Sequence, residues 1–394
     1  MLENNTGELF MKNVESIENK KVFSSKDTKI IKGLAIILML MHHLWPFSER
    51  IAGGELKHLF NIFGDSSLTS FGLFGRICVS LFFFLGGYGI YIQSKKKNFN
   101  IIANLKKLYL AYWKVFLIFI PIGFIFFKNQ IAYTENNYYY TRFLNLNWNE
   151  VLKNFFAFSS SLNGEWWFLT SYIFAILSFP IIKMIFEKRN TKESIVLILV
   201  FSILMTNVFP ALGDIKELGY MNNNYLYRSF FCQSSPYIAC FWMGMLFGKE
   251  NLIIRFKELI EENIKFNVLT DVVLLGIIVY LRQKVVGAEL DILYVPVLII
   301  AFLDLLSHMP RLKGLFERLG KQSTNMWLIH SFYCYYFYPF VKLIIALNWA
   351  VPCLIVLIIM TYVTSLGIDI FWEYIGKGYN YLKEKYLKIK KVLA

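Results

Sequence analysis

The chain has 394 residues, 56% of them hydrophobic and 18% aromatic with only 17% charged, a balance that excludes an ordinary soluble globular protein. The formal net charge is +14, but the basic residues fall in short segments between apolar runs rather than on one soluble face. They therefore read as membrane-topology signals, and no nucleic-acid partner is expected.

In chain order, residues 1–29 form a polar, mixed-charge tail. The first apolar run, residues 30–45, carries two histidines and lacks an A-x-A-like cleavage site, which marks a retained span rather than a signal peptide. Further runs follow at about 68–92, 105–127, 166–186, 194–209, 229–247, 267–281, 292–308, 324–347 and 350–375. The expectation is an all-α, multi-pass protein of the cell membrane with about ten transmembrane helices over a domain of residues 30–375. With the N-terminus inside, the inward segments carry 29 Lys and Arg and the outward loops 9, an alternation that every loop obeys and that puts both termini in the cytoplasm. Residues 376–394 end in YLKEKYLKIKKVLA, a basic amphipathic helix suited to the anionic inner leaflet of the bilayer.

One outward loop is long, about 128–165, and holds AYTENNYYYTRFLNLNW followed by an amphipathic piece, VLKNFFAF. Its aromatic residues suit either a lipid-anchoring belt or a lid that stacks on a sugar. Cys78, Cys232, Cys240, Cys334 and Cys353 lie in or beside apolar runs, with no CxxC pair and no histidine at ligand spacing. Neither a disulfide framework nor a metal site is expected.

An ionisable group inside a span is costly and by default marks function. Lys32 and His43 share a face of the first helix, about three turns and roughly 16 Å apart, while His42 points elsewhere. His43 lies in the outward half; an imidazole can be tuned by its surroundings to act as a general base activating a hydroxyl, or it bonds a neighbouring helix. His42 is read as structural. His330, about two turns into the ninth helix from the cytoplasmic side, either binds a substrate arriving from the cytosol or satisfies a buried partner. Arg76 sits inside the second helix, where a guanidinium that cannot shed its proton needs an ion-pair partner or a polar cavity. Lys106 and Lys107, at the inner surface, can grip the phosphates of a cytosolic cofactor, although any inner loop is basic. Asp304 and Asp369 fall toward the cytoplasmic half, in helix–helix pairs or a polar vestibule. The glycines of SLFFFLGGYGIYI permit close backbone approach.

Four of these stretches, in this order, resemble the acyltransferase family 3 membrane proteins. IKGLAIILMLMHH supplies a basic residue, a glycine and a histidine as Lys32, Gly33 and His43, and FFFLGGYGI is similar to the family's second-helix segment. GEWWFL aligns Trp167, Phe168 and Leu169, and LGKQSTNMWLIH aligns Leu319, Gly320, Ser323 and His330. The chain departs from the pattern in carrying Lys32 where arginine is usual, which keeps the charge and loses the bidentate fork, and Gly86 where serine is common. Lys106 and Lys107 are the nearest match to the family's donor-associated arginines, with Leu110 where a second arginine would fall.

The resemblance implies a membrane O-acetyltransferase. Cytoplasmic acetyl-CoA, or another short acyl-CoA, would acylate a hydroxyl of an extracytoplasmic cell-surface polysaccharide or its lipid-linked precursor. It makes His43 the base or acyl-handling residue and lets Lys32 and Arg76 support the donor or the developing oxyanion. His330, Ser323, Lys106, Lys107 and Trp167 would bind substrate. A second, extracytoplasmic protein would have to come from another chain if delivery needs one. The alternative is a transporter or flippase for a glycan or small metabolite, against which stands the lack of two symmetric halves with broken helices. The low-Cys, Lys-rich and Asn-rich composition points to a bacterial source.

Overall fold

The computed structural model describes residues 23–47, 56–59, 67–128, 142–262, 267–284 and 288–393. Among them the repeating structure is helical, with one isolated parallel bridge between Lys57 and Trp349. The main helices are α1 (Ser25–Leu44), α2 (Ser67–Phe74), α3 (Ile77–Ser94), α4 (Ile101–Phe126), α5 (Trp148–Phe155), α6 (Trp167–Glu187) and α7 (Thr191–Ile203). They continue as α8 (Ser235–Glu250), α9 (Leu252–Glu261), α10 (Val268–Lys284), α11 (Asp291–Ser307), α12 (Pro310–Ser331), α13 (Tyr338–Ile345) and α14 (Ala350–Leu393).

Local sequence sets many of the boundaries. The side chains of Asn100, Asn147 and Asn190 accept first-turn N–H groups at the starts of α4, α5 and α7, and Glu193 completes a capping box with Asn190. Asn251, left-handed at φ 52°, separates α8 from α9.

Helix is present at each of the ten apolar runs. Among the described residues, five stretches are long and apolar enough to cross a membrane: Ser67–Ser94, Ile101–Phe126, Gly164–Glu187, Thr191–Leu212 and Ala350–Glu384. The others are short or charged. Helices α8, α10 and α11 have 16, 17 and 17 residues, while α1 and α12 carry clusters of Lys and Arg. The basic C-terminal segment prolongs α14, a helix of 44 residues, rather than forming a separate element. Of the expected features, the tail before residue 23 and residues 129–141 of the aromatic loop lie outside the described residues.

The chain divides into two compact units. The first comprises Met1–Ala35, Ile77–Phe99 and Phe174–Gly320. Here α3 and α8 cross at two reciprocal glycines. A Cβ on Gly87 would lie 1.8 Å from the Phe241 carbonyl oxygen, and one on Gly244 would lie 2.0 Å from that of Phe84. Gly33 and Gly320 bring α1 and α12 together in the same way, against Phe316 and Lys29 carbonyls. A buried ion pair ties α10 to α11, with Arg282 Nε and Nη2 donating to Asp291 Oδ1 and Oδ2 at 2.7 and 3.1 Å. Ser80 on α3 donates to the same carboxylate, so all its charge is met by donors.

The second unit comprises Ile36–Arg76, Asn100–Ile173 and Lys321–Ala394. Its core is aromatic: Phe127 stacks on Phe337 at 3.9 Å, and Phe119 and Phe143 join them. Tyr112 and Trp113 of α4 donate to the Asn154 and Phe155 carbonyls at 2.7 and 2.9 Å, fastening the C-terminal end of α5. After α1, the Trp45 indole donates to the Ala350 carbonyl at 3.1 Å, anchoring the segment that follows the two histidines.

Candidate functional site

The site grows from the second unit, where three pieces of backbone meet. One is the C-terminal turn of α1, bearing His42 and His43. Another is the short 3-10 turn Gly164–Trp166, and the third is the end of α12 with the π-helical turn Phe332–Tyr336 that follows it. Single π turns recur at functional sites because they re-aim side chains within a helix.

The loop before α6 is clamped in place. Asn163 caps the 3-10 turn by accepting from the Glu165 N–H at 3.1 Å, and its amide exchanges hydrogen bonds with Ser331 at 2.7 and 3.0 Å. Gly164 N–H donates to the Tyr336 hydroxyl at 3.0 Å, and the Trp166 indole donates to the Leu328 carbonyl at 3.0 Å. Arg142 lies over the Tyr336 ring and donates to the Ser161 carbonyl at 2.7 Å. Every one of these bonds ends on the backbone or on a buried side chain, which fixes where Glu165 stands.

His43 receives the carboxylate. The Tyr335 hydroxyl donates to the His43 carbonyl at 2.7 Å, and its oxygen accepts from His43 Nδ1–H at 2.9 Å. That pair of bonds assigns the proton to Nδ1 in the neutral ring and leaves a lone pair on Nε2. Nε2 lies 3.7 Å from Glu165 Oε2, placed to form an ion pair when the ring takes up a proton.

His330 completes the cluster. Its Nδ1 contacts the Trp327 carbonyl, which can only accept, so Nε2 holds the lone pair. That Nε2 is buried with no hydrogen-bond partner, and the residue is 1% exposed. The His43 and His330 rings are 4.6 Å apart between centroids. His42 plays a different part: its Nδ1 donates to the Gly72 carbonyl at 3.0 Å, holding α1 to α2 as expected of a structural residue.

One expectation is corrected. His330 was placed two turns into its helix on the cytoplasmic side, apart from His43. In the structure α12 starts at Pro310, so His330 is the last residue but one of a 22-residue helix and touches the His43 ring. The cause is the charged stretch with Arg311, Lys313, Arg318 and Lys321, which reads as a loop but is helical. Arg76 lies within the Ser67–Ser94 stretch, as the sequence implies, at the turn between α2 and α3 with an exposed side chain. Gly75, in that turn, lets the α1 backbone approach closely, since a Cβ there would meet the Leu38 carbonyl oxygen at 2.4 Å.

The remaining expected residues stand outside the histidine cluster. Ser323 is buried about two turns before His330 on α12, and Trp167 is half-buried at the start of α6. Lys106 and Lys107 are exposed on α4, and Lys32, half-buried on α1, belongs to the first unit whereas His43 belongs to the second. Glu165 and Tyr335 escaped the sequence reading. The available signal for Glu165 was a carboxylate directly ahead of the apolar run in GEWWFL; Tyr335 had none, being one tyrosine among 24.

A family model described as an acyltransferase domain matches residues 27–368, which include every residue of this cluster. Comparisons with curated proteins and with solved structures gave no match.

Proposed function

This chain belongs to acyltransferase family 3, and from that premise we propose that it is a membrane O-acetyltransferase whose base is His43. The observation that carries the reading is the pairing of His43 with Glu165 and with the buried, unpartnered Nε2 of His330. His43 Nε2 takes the proton of an acceptor hydroxyl as that oxygen attacks the thioester carbonyl. The tetrahedral intermediate then expels the thiolate by breaking the C–S bond, and the proton passes from His43 to the departing sulfur. Glu165 stabilises the imidazolium between these transfers. His330 Nε2 accepts a hydrogen bond from a donor on the substrate, which a buried acceptor without a protein partner is suited to do.

In this reading the donor is cytoplasmic acetyl-CoA, or another short acyl-CoA, and the acceptor is a hydroxyl of an extracytoplasmic polysaccharide or its lipid-linked precursor at the cell membrane. Both substrates reach one histidine cluster rather than two separated stations. Lys32 and Arg76 are assigned electrostatic support on the family resemblance, with Ser323, Lys106, Lys107 and Trp167 toward substrate.

The test is reconstitution in liposomes with radiolabelled acetyl-CoA supplied to one side at a time and a glycan acceptor on the other. Transfer by the wild type that His43→Ala abolishes supports the reading. Undiminished transfer by His43→Ala removes His43 as the base, and absence of transfer with a panel of short acyl-CoA donors and glycan acceptors removes the assigned chemistry.

A further inference from the structure

We propose that Asp271, Asp304 and His308 in the first unit form a binding site for a divalent first-row transition cation. Three donor atoms, one from each side chain, all lie within 4.8 Å of one another. Metal–ligand distances of about 2.0–2.2 Å put ligand atoms roughly 3.3–3.5 Å apart, so closure by about an ångström completes the set.

The local structure aims these groups at one point. Asn267 caps α10, its side chain accepting from Leu269 and Thr270 N–H at 2.9 and 3.1 Å, and Asp271 projects from the first turn. Asp304 and His308 are one turn apart at the C-terminal end of α11 and therefore share a face. The helix pair α10 and α11 is held independently by the Arg282–Asp291 ion pair nearer its other end.

The observation that asks for a ligand is Asp271 itself. It is 0% exposed, and among the described residues neither carboxylate oxygen has a hydrogen-bond partner. A buried carboxylate without a donor is strongly unfavourable, and buried charges are normally paired or coordinate metals. Lys257 acts on Asp271 through space without hydrogen-bonding it, and it pairs with Asp304 Oδ1 at 2.8 Å and Glu261 at 3.4 Å. Lys257 instead orients Asp304, whose other oxygen, Oδ2, lies 3.7 Å from His308 Nε2. A ligating carboxylate held by an outer hydrogen bond is the usual second layer of a metal site. His308, 46% exposed on its side chain, opens the site to solvent and leaves positions for water.

Two carboxylates and an imidazole form a nitrogen–oxygen set. Imidazole favours zinc and its first-row neighbours over magnesium or calcium. A cation here would link α10 to α11 and supply the charge that Asp271 lacks. The sequence reading expected no metal, because these ligands come from two helices and include neither cysteine nor a close histidine pair.

The full-length protein in nanodiscs, dialysed against zinc alone, tests this. The expected result is one equivalent of zinc per chain, with Asp271→Asn and His308→Gln each weakening binding at least tenfold. Zinc should also raise the unfolding temperature of the wild type and leave that of both variants unmoved. His308→Gln alters an exposed side chain, so it keeps the test informative if Asp271→Asn fails to fold. The proposal is overturned if the wild type binds no stoichiometric zinc, in which case the Asp271 carboxyl carries a proton. Zinc binding that persists undiminished in His308→Gln also overturns it.

Discussion

The imidazole of His330 lies against that of His43, 4.6 Å between ring centroids, and presents a buried Nε2 that no protein group meets. On its other side His43 faces Glu165 across 3.7 Å and is held at Nδ1 by Tyr335. An imidazole thus stands between a carboxylate that can steady its charge and a second imidazole with a buried acceptor nitrogen.

Loss of the base should be the largest single effect on turnover. His43→Ala is expected to lower acyl transfer by roughly 10²–10⁴-fold with little change in folded yield. Glu165→Gln keeps the shape and removes the charge, so kcat should fall roughly tenfold or more while KM for the acyl donor holds. Steady-state kinetics on reconstituted protein reads both, and a Glu165→Gln enzyme with wild-type kcat would contradict the ion-pair role.

His330→Phe keeps an aromatic ring and deletes the unsatisfied acceptor, but it also removes the Nδ1 bond to the Trp327 carbonyl and enlarges the ring. Relief of an unpaired buried atom, about 1–3 kcal/mol, offsets a lost hydrogen bond of about 1 kcal/mol and the added volume, so the variant should unfold near the wild-type temperature. Its turnover should nonetheless drop at least tenfold. Thermal melts paired with activity separate this from a packing role, in which the two would move together.

The glycine crossing in the first unit should tolerate no side chain. A methyl on Gly87 or Gly244 would overlap a carbonyl oxygen at 1.8 or 2.0 Å, and both obstacles are backbone. Each alanine variant should lose about 3 kcal/mol or more of stability, seen as a collapse of the monodisperse peak in fluorescence-detected chromatography. Gly276→Ala, where a Cβ meets nothing within 4 Å, is the control.

The Arg282–Asp291 pair should show the asymmetry of buried charge. Arg282→Met strands the Asp291 carboxylate and should destabilise by about 3–5 kcal/mol, whereas adding Asp291→Leu should restore most of that loss. Chemical unfolding of the two single variants and the double variant measures the coupling.

Outside the spans, Glu150 supplies a pH response. Hydrogen bonds from Lys153, then Ser161, outweigh a burial effect of opposite sign and hold its carboxyl below the ordinary 4.5. Because the folded value is depressed, its stabilisation is complete above the unfolded value and is lost as pH falls through the lower, folded one. The protection of the 159–162 amides, relative to their intrinsic exchange at each pH, should therefore fall as Glu150 protonates below the ordinary carboxylate range. Glu150→Gln should show the lower protection already at neutral pH.

Helix positions were legible in the sequence because their causes are local. Apolar runs act within a turn or two of chain, so helix forms at each of them; the asparagine caps at 100, 147 and 190 emerged only with the structure. The family was legible too, since its motifs are short and ordered. Pairings between helices were not, because they depend on rotation and register that only packing sets. Gly86 drew notice as a departure, yet Gly87 beside it faces the α8 backbone. His43 could be singled out alone, but its partners come from a loop some 120 residues later and a helix near residue 330, brought together by the Asn163–Ser331 and Trp166–Leu328 bonds. The charged segment that opens α12 concealed where His330 would stand. Apolar content by itself determined that this chain is a set of membrane-type helices; the tertiary structure decided which buried polar atoms meet, because a helix commits its backbone to itself and leaves the choice of side-chain partner to its neighbours.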